Sequence, residues 1–397
     1  MNHRERVMAA IRHEEADRLP LDLGGMRSTG IMALSYADLK KHLGITEGDI
    51  YIFDTMQQLA YVEESIRERF GCDVLILDPG MIAGWKPYTM SDGRQAQISA
   101  DFNTESDGEG GEYSLDETGR RVMHRPASSY YFDGIYTPME HISTIEALDE
   151  YKAEPLSDEY LTALQVEAKR LYEETDYAIL GSFGGAFLEG GQGLRGWLNF
   201  MMDLAGNRSF AEALLDRMLE HYLKNVELYL DAVGDYIQII QMGGDLGTQA
   251  GPQISPDQYY EIIQPRQAAL WGRIHELKPA VAVFLHCCGG IKDLLPGIRD
   301  AGCNILNPVQ TNAVGMDPVQ LKAEFGQDLC FWGGGCDTQK VLPFGTPEEV
   351  YEDTRRNIEI FKPGGGFVFC QIHNIQAQVP PENILAMMQA VQDFGAY

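Results

Sequence analysis

Basic residues are scarce in this chain. Only 31 Lys and Arg stand against 59 Asp and Glu, a formal charge of −28 over 397 residues. That balance argues against nucleic acid and anionic membrane surfaces as partners, because both are held by clustered cationic side chains. Long apolar runs are missing too: none approaches the roughly 18 residues of a membrane helix. The N-terminal Met1-Asn2-His3-Arg4-Glu5-Arg6 runs into a polar helical pattern without the apolar centre of a secretory signal, so the cytoplasm is the expected compartment. The seven cysteines (Cys72, Cys287, Cys288, Cys303, Cys330, Cys336 and Cys370) lack the spacing of a secreted disulfide framework. All but Cys72 fall in the C-terminal part, which reads as metal or redox chemistry plus buried thiols. There is no internal repeat, no low-complexity tract, and no GxGxxG after the first strand, so a dinucleotide-binding open sheet lacks its fingerprint.

What the chain does have is alternation. Short apolar runs at 19–23, 74–77, 177–183, 236–242, 281–285, 304–307, 329–332 and 366–370 predict strands. Amphipathic stretches at 210–232, 257–277, 291–301, 318–325, 347–361 and 381–394 predict helices between the later ones. Strands separated by helices imply parallel βα units. Eight of them fit an α/β fold of the (β/α)8 TIM-barrel type, expected as a single domain over 1–397. Ser255-Pro256-Asp257, Thr346-Pro347-Glu348-Glu349 and Pro380-Pro381-Glu382 mark helix starts, with proline and acid in the first turn. From 84 to 141 the alternation stops. Turn signals at Ser91-Asp92-Gly93 and Asp107-Gly108-Glu109-Gly110-Gly111 predict an inserted excursion of β-hairpins, with strands at 95–100, 120–124 and 128–132.

In such a barrel the active site is built at the C-terminal strand ends. One of those ends reads His286-Cys287-Cys288-Gly289-Gly290. Side chains alternate along a strand, so His286 and Cys288 project to one side, and imidazole plus thiolate is a zinc-type ligand pair. Cys336 and His373 lie at two other strand ends and supply further candidate ligands. Three protein ligands with an open position are expected, because the rim is a substrate site. Asp245, at the end of Met242-Gly243-Gly244, reads as a general acid/base or as the acceptor that orients a metal-bound histidine. Asp78 and Asp337 are weaker versions of the same case. Gln310 and Asn374 are candidate hydrogen-bonding groups for a bound cofactor or substrate, and Arg27 for a substrate carboxylate. Cys287, Cys303, Cys72 and Cys330 are expected to pack in the core.

Taken together, several stretches resemble the uroporphyrinogen decarboxylase superfamily. They are Phe284-Leu285-His286-Cys287-Cys288-Gly289-Gly290, Ala301-Gly302-Cys303-Asn304-Ile305-Leu306-Asn307-Pro308-Val309-Gln310, Phe331-Trp332-Gly333-Gly334-Gly335-Cys336-Asp337, and His373-Asn374-Ile375-Gln376 ahead of Pro380-Pro381-Glu382-Asn383. True decarboxylases of that superfamily carry an arginine-rich loop after the first strand. Here the loop is Leu23-Gly24-Gly25-Met26-Arg27-Ser28-Thr29-Gly30, with a single arginine. The resemblance is closer to the zinc-dependent methyltransferases, which move a methyl group between a corrinoid protein and a thiol such as coenzyme M. It implies zinc held by His286 and Cys288, and a third ligand that falls near His373, where that branch usually has cysteine, or is Cys336. It also implies a corrinoid (methylcobamide) carried by a partner protein, and a small thiol or methylated small molecule as the other reactant. A metal-independent decarboxylase of a tetrapyrrole or other carboxylic acid is the alternative enzyme, and a non-catalytic corrinoid-binding protein the non-enzymatic one. A homodimer is among the assemblies the sequence leaves open.

Overall fold

The computed structural model describes residues 1–149 and 153–397. It is an α/β protein in which parallel strands and helices alternate along the chain in the TIM-barrel manner read from the sequence. The chain forms two compact units, Met1–Tyr136 with Gly333–Tyr397, and Thr137–Trp332.

The second unit carries five parallel strands, Ala178–Gly184, Ile239–Met242, Ala282–His286, Ile305–Asn307 and Cys330–Trp332, each hydrogen-bonded to the next. Their side chains are almost wholly buried, as expected of a parallel sheet covered by helices. The long helix Arg208–Val233 buries Phe210, Leu214, Met218, Val226, Tyr229, Leu230 and Val233, a helical-period stripe. Each such side chain contributes about 1.5–3 kcal/mol on leaving water. Two expected helices are broken, both at proline. The stretch 257–277 forms Pro256–Gln258, a π-helical turn Tyr259–Ile263, and then Gln264–Leu277. Pro265 has no N–H to give and its ring crowds the carbonyl four residues back, and a π turn accommodates both. The stretch 291–301 likewise opens as a 3-10 turn, Lys292–Leu294, before Leu295–Asp300, with Pro296 at the junction.

In the first unit the expected strand 19–23 is reduced to a parallel bridge between Leu21 and Phe369. The cause is Asp73. Its carboxylate accepts the Leu21 N–H at 2.9 Å, displacing a ladder hydrogen bond. The same fully buried carboxylate meets Arg6 at 2.6 Å, Arg18 at 2.8 Å and His3 at 2.8 Å. The two arginines, the His3 ring and the Leu21 N–H outweigh the cost of burial and hold its pKa below the ordinary value.

The β-rich stretch lies in this unit too. Trp85–Thr89 and Gln95–Ser99 join Tyr51–Asp54, Leu59–Ala60 and Ile31–Met32 in one sheet. Asn103–Ser106, Glu112–Leu115, Arg121–Arg125 and Asp133–Gly134 form a second. The strand expected at 128–132 does not form; Asp133–Gly134 pairs with Arg121–Arg125 instead. Phe132 is drawn inward by edge-on packing against Phe102, with ring centres 5.3 Å apart, and by its N–H to the Met56 carbonyl. Ser255 and Thr346 each close a capping box at their helices, as the sequence signals require. Among the described residues no helix is long and apolar enough to cross a membrane.

Replacing Asp73 by Ala leaves two arginines facing a buried gap, and is expected to cost about 3–5 kcal/mol in chemical denaturation. Because the native pKa of Asp73 is depressed, its contribution is complete above the unfolded carboxylate value and is lost as pH falls through the native one. The D73A stability deficit should therefore shrink on acidification; a pH-independent deficit would contradict this assignment.

Candidate metal centre

His286 ends the middle strand of the second unit, and its register partner is Asn307. Phe284, two residues earlier on the same side, packs edge-on against Trp332 with ring centres 5.4 Å apart, so this face of the sheet is filled up to the imidazole. Asn307 is fully buried. Its Nδ2 donates to the Trp332 carbonyl at 2.9 Å, which leaves Oδ1 to accept from His286 Nδ1 at 2.8 Å. The proton of the neutral ring is thereby placed on Nδ1, and the Nε2 lone pair points outward.

Cys288 Sγ lies 3.6 Å from that Nε2. A sulfur ligand at about 2.3 Å and a nitrogen ligand at about 2.0–2.1 Å, at a tetrahedral angle on one zinc ion, stand about 3.6 Å apart. The pair is thus spaced as two corners of a zinc site, and Asn307 is the outer partner that such a histidine requires. Asp245 Oδ1 accepts the Cys288 N–H at 2.8 Å and stands 3.9 Å from His286 Nε2. Burial, and then the Asp245 charge, push the Cys288 thiol well above its ordinary pKa, a penalty on the thiolate that a bound cation reverses.

The turn after Cys288 is fixed from two sides. The Gly289 N–H donates to Gln310 Oε1 at 2.7 Å, and the Gly290 N–H to the Thr248 carbonyl at 2.9 Å. Gly289 adopts φ +97°, and a Cβ there would stand 2.5 Å from the Gly247 carbonyl carbon. Glu189, in the first turn of Leu188–Arg195, accepts the Asp245 N–H at 3.2 Å. Its low-dielectric surroundings and then the Asp245 charge raise its own pKa.

His286, Cys288, Asp245 and Gln310 are therefore brought together in the second unit. Cys287 is buried and accepts the Leu246 N–H at 3.2 Å. The remaining candidates lie in the first unit. The Cys336 thiol is fully buried, and burial, then the Asp353 charge, push its pKa well above the ordinary value. His373 is half-buried. Asn374 is fully buried: it donates to Gln57 at 2.5 Å and accepts from Tyr131 at 3.1 Å and from Gln376. Arg27 pairs with Asp54 at 2.5 Å and with Asp78 at 2.7 Å. Sequence reasoning passed over Asn307, Glu189 and Asp54. For Asn307 a signal existed, an amide closing the apolar run Ile305-Leu306.

The family model described as uroporphyrinogen decarboxylase (URO-D) matches residues 133–394. The uroporphyrinogen decarboxylases of Methylococcus capsulatus and Saccharophagus degradans are 26% and 25% identical to the chain, over 46% and 47% of it. The chain spans about half the length of these curated relatives, 49% of each. Among solved structures, a methyltransferase from Methanosarcina mazei aligns over 99% of both chains with a TM-score of 0.60 and 15% identity, a likeness of fold.

Gly289→Ala should cost about 1–3 kcal/mol from the strained backbone, with the overlap at Gly247 in addition. Gly93→Ala, at φ +87° with no atom within 4 Å of its Cβ, should cost only about 1–2 kcal/mol. Equal losses in urea denaturation would show that the close approach at Gly289 does not matter.

Proposed function

The chain belongs to the uroporphyrinogen decarboxylase family, and within it we propose a zinc-dependent methyltransferase that moves a methyl group between a corrinoid carried by a partner protein and a small thiol or related acceptor. The observation that carries this reading is the 3.6 Å separation of His286 Nε2 and Cys288 Sγ, with the other ring nitrogen held by Asn307. His286 and Cys288 would hold the ion, with His373 as third ligand. His373 takes the third place because it falls where the resemblance puts the last ligand, ahead of Pro380-Pro381-Glu382-Asn383. Cys336 is the weaker candidate, because its thiol is wholly buried.

Zinc bound there would lower the pKa of a substrate thiol so that a thiolate nucleophile is present at neutral pH. The chain's own groups do the positioning. Asn307 sets the tautomer and plane of His286. Asp245 fixes the Cys288 backbone and lies close enough to His286 to accept a proton or hydrogen bond from a group bound beside it. Gln310 holds the Gly289 turn, which keeps Sγ facing the imidazole. Glu189 accepts the Asp245 N–H and so helps to fix that residue, while burial and then the Asp245 charge raise its own pKa above the ordinary value.

The fold likeness to the Methanosarcina mazei methyltransferase supports this reading. The metal-independent decarboxylase has less behind it. Its curated representatives match under half of the chain, and the single arginine of the first loop is already paired with two carboxylates.

Elemental analysis of the purified protein should find about one zinc per chain. His286→Ala, Cys288→Ala and His373→Ala should each lose it, while Cys336→Ala retains it. Asn307→Ala should weaken zinc binding by about 10–100-fold in a chelator competition. Full zinc retention in H286A and C288A would refute the site. Retention in H373A with loss in C336A would move the third ligand.

A further inference from the structure

The first unit holds a cleft of about 500 Å³ whose charged lining is Arg27 with Asp54, Asp78 and Asp101. An arginine in a cleft normally reads as a receptor for a carboxylate, because its planar fork matches two carboxylate oxygens. Here that fork is spent within the protein. Arg27 Nε is 2.5 Å from Asp54 and an Nη nitrogen is 2.7 Å from Asp78. Both carboxylates are buried, at 5% and 0% side-chain exposure, and both are fixed by backbone groups. Asp54 Oδ1 accepts the Gln57 N–H at 2.6 Å, and Asp78 Oδ1 the Gly80 N–H at 2.9 Å as the cap of the turn Pro79–Ile82. Neither acid can swing away to release the guanidinium without losing its own hydrogen bond.

We infer that Asp54 and Asp78 are specificity determinants: by claiming Arg27 they turn this cleft from a receptor for carboxylates into one for a small organic cation. The Arg27 charge is more than cancelled by its two partners, and Asp101 adds another negative group. A carboxylate entering the cleft meets like charge on both sides of the only cation in its lining, whereas an alkylammonium meets a net negative wall. The apolar part of the lining, Phe53, Phe102, Met56 and Met123, suits the alkyl groups of such a cation. The inference rests on the methyl-transfer reading only for the use made of the cation, as a methyl-bearing reactant; the selectivity itself requires no metal.

Calorimetric titration of the zinc-free full chain with tetramethylammonium and with succinate separates the two. Wild type should bind tetramethylammonium at least about tenfold more tightly than succinate. Asp54→Asn and Asp78→Asn keep an oxygen for the Gln57 and Gly80 N–H groups. Each should weaken the cation by about tenfold and gain succinate binding through the released Arg27. Arg27→Gln should bind the cation at least as well as wild type. Tighter binding of succinate by wild type, no binding of either probe, or folded D54N and D78N proteins with the wild-type preference would overturn the inference. The wild-type comparison decides even if a variant fails to fold. Loss of this selectivity with zinc retained at His286 and Cys288 would leave the methyltransferase reading standing, and the converse result would leave the cleft.

Discussion

The candidate centre turns on one hydrogen bond, from His286 Nδ1 to Asn307 Oδ1 at 2.8 Å. Asn307 can accept it only because its amide nitrogen is committed to the Trp332 carbonyl, so three adjacent strands cooperate in choosing one tautomer of one ring. That choice turns the basic Nε2 toward Cys288. Without it the ring could carry its proton on the side facing the thiol, and the pair would be a donor beside a thiol instead of two ligands. The turn that presents Cys288 depends in turn on two backbones approaching closely, Gly289 on Gly247, with Asp245 and Gln310 holding its N–H groups.

The acidity of the chain has an internal counterpart. Several buried or half-buried cations are covered by carboxylate: Arg6 and Arg18 by Asp73, Arg195 by Asp203, Arg27 by Asp54 and Asp78. A buried charge is tolerated only when paired, and around Arg27 two acids face one base. The consequence differs by place. Around Asp73 it is structural, tying the N-terminal helix His3–Ile11 to the residues around Leu21. Around Arg27 it determines which charges a ligand can carry. Beside Cys288 it penalises the bare thiolate and favours a cation.

Much of the fold was legible because buried parallel strands are short apolar runs and their helices carry a stripe of the right period. The run Val281 to Leu285 announced the strand that carries His286, and proline with acid after Ser255 and Thr346 announced two capped helices. What escaped the pattern did so for physical reasons. Asp73 substitutes a side chain for a ladder bond at Leu21, proline breaks two otherwise helical stretches, and Phe132 leaves a strand pattern to fill the core. At the site, alternation sufficed to bring His286 and Cys288 together, since both belong to one strand and its immediate turn. Asn307 and Glu189 come from other elements, and their relation to His286 and Cys288 depends on register and loop paths that periodicity does not encode. The strand Tyr51–Asp54, which delivers Asp54, is short and carries no strong alternation of its own.

The central claim is that one imidazole and one thiolate of this strand end bind zinc with a histidine as third protein ligand. X-ray absorption at the zinc edge tests it most directly, since sulfur at about 2.3 Å and nitrogen or oxygen at about 2.0–2.1 Å are resolved as separate shells. Zinc-loaded wild type, without added thiol, should show a single sulfur neighbour, with the other neighbours nitrogen or oxygen, and Cys288→Ala should lose that sulfur shell. Two sulfur neighbours, or none, would contradict the account.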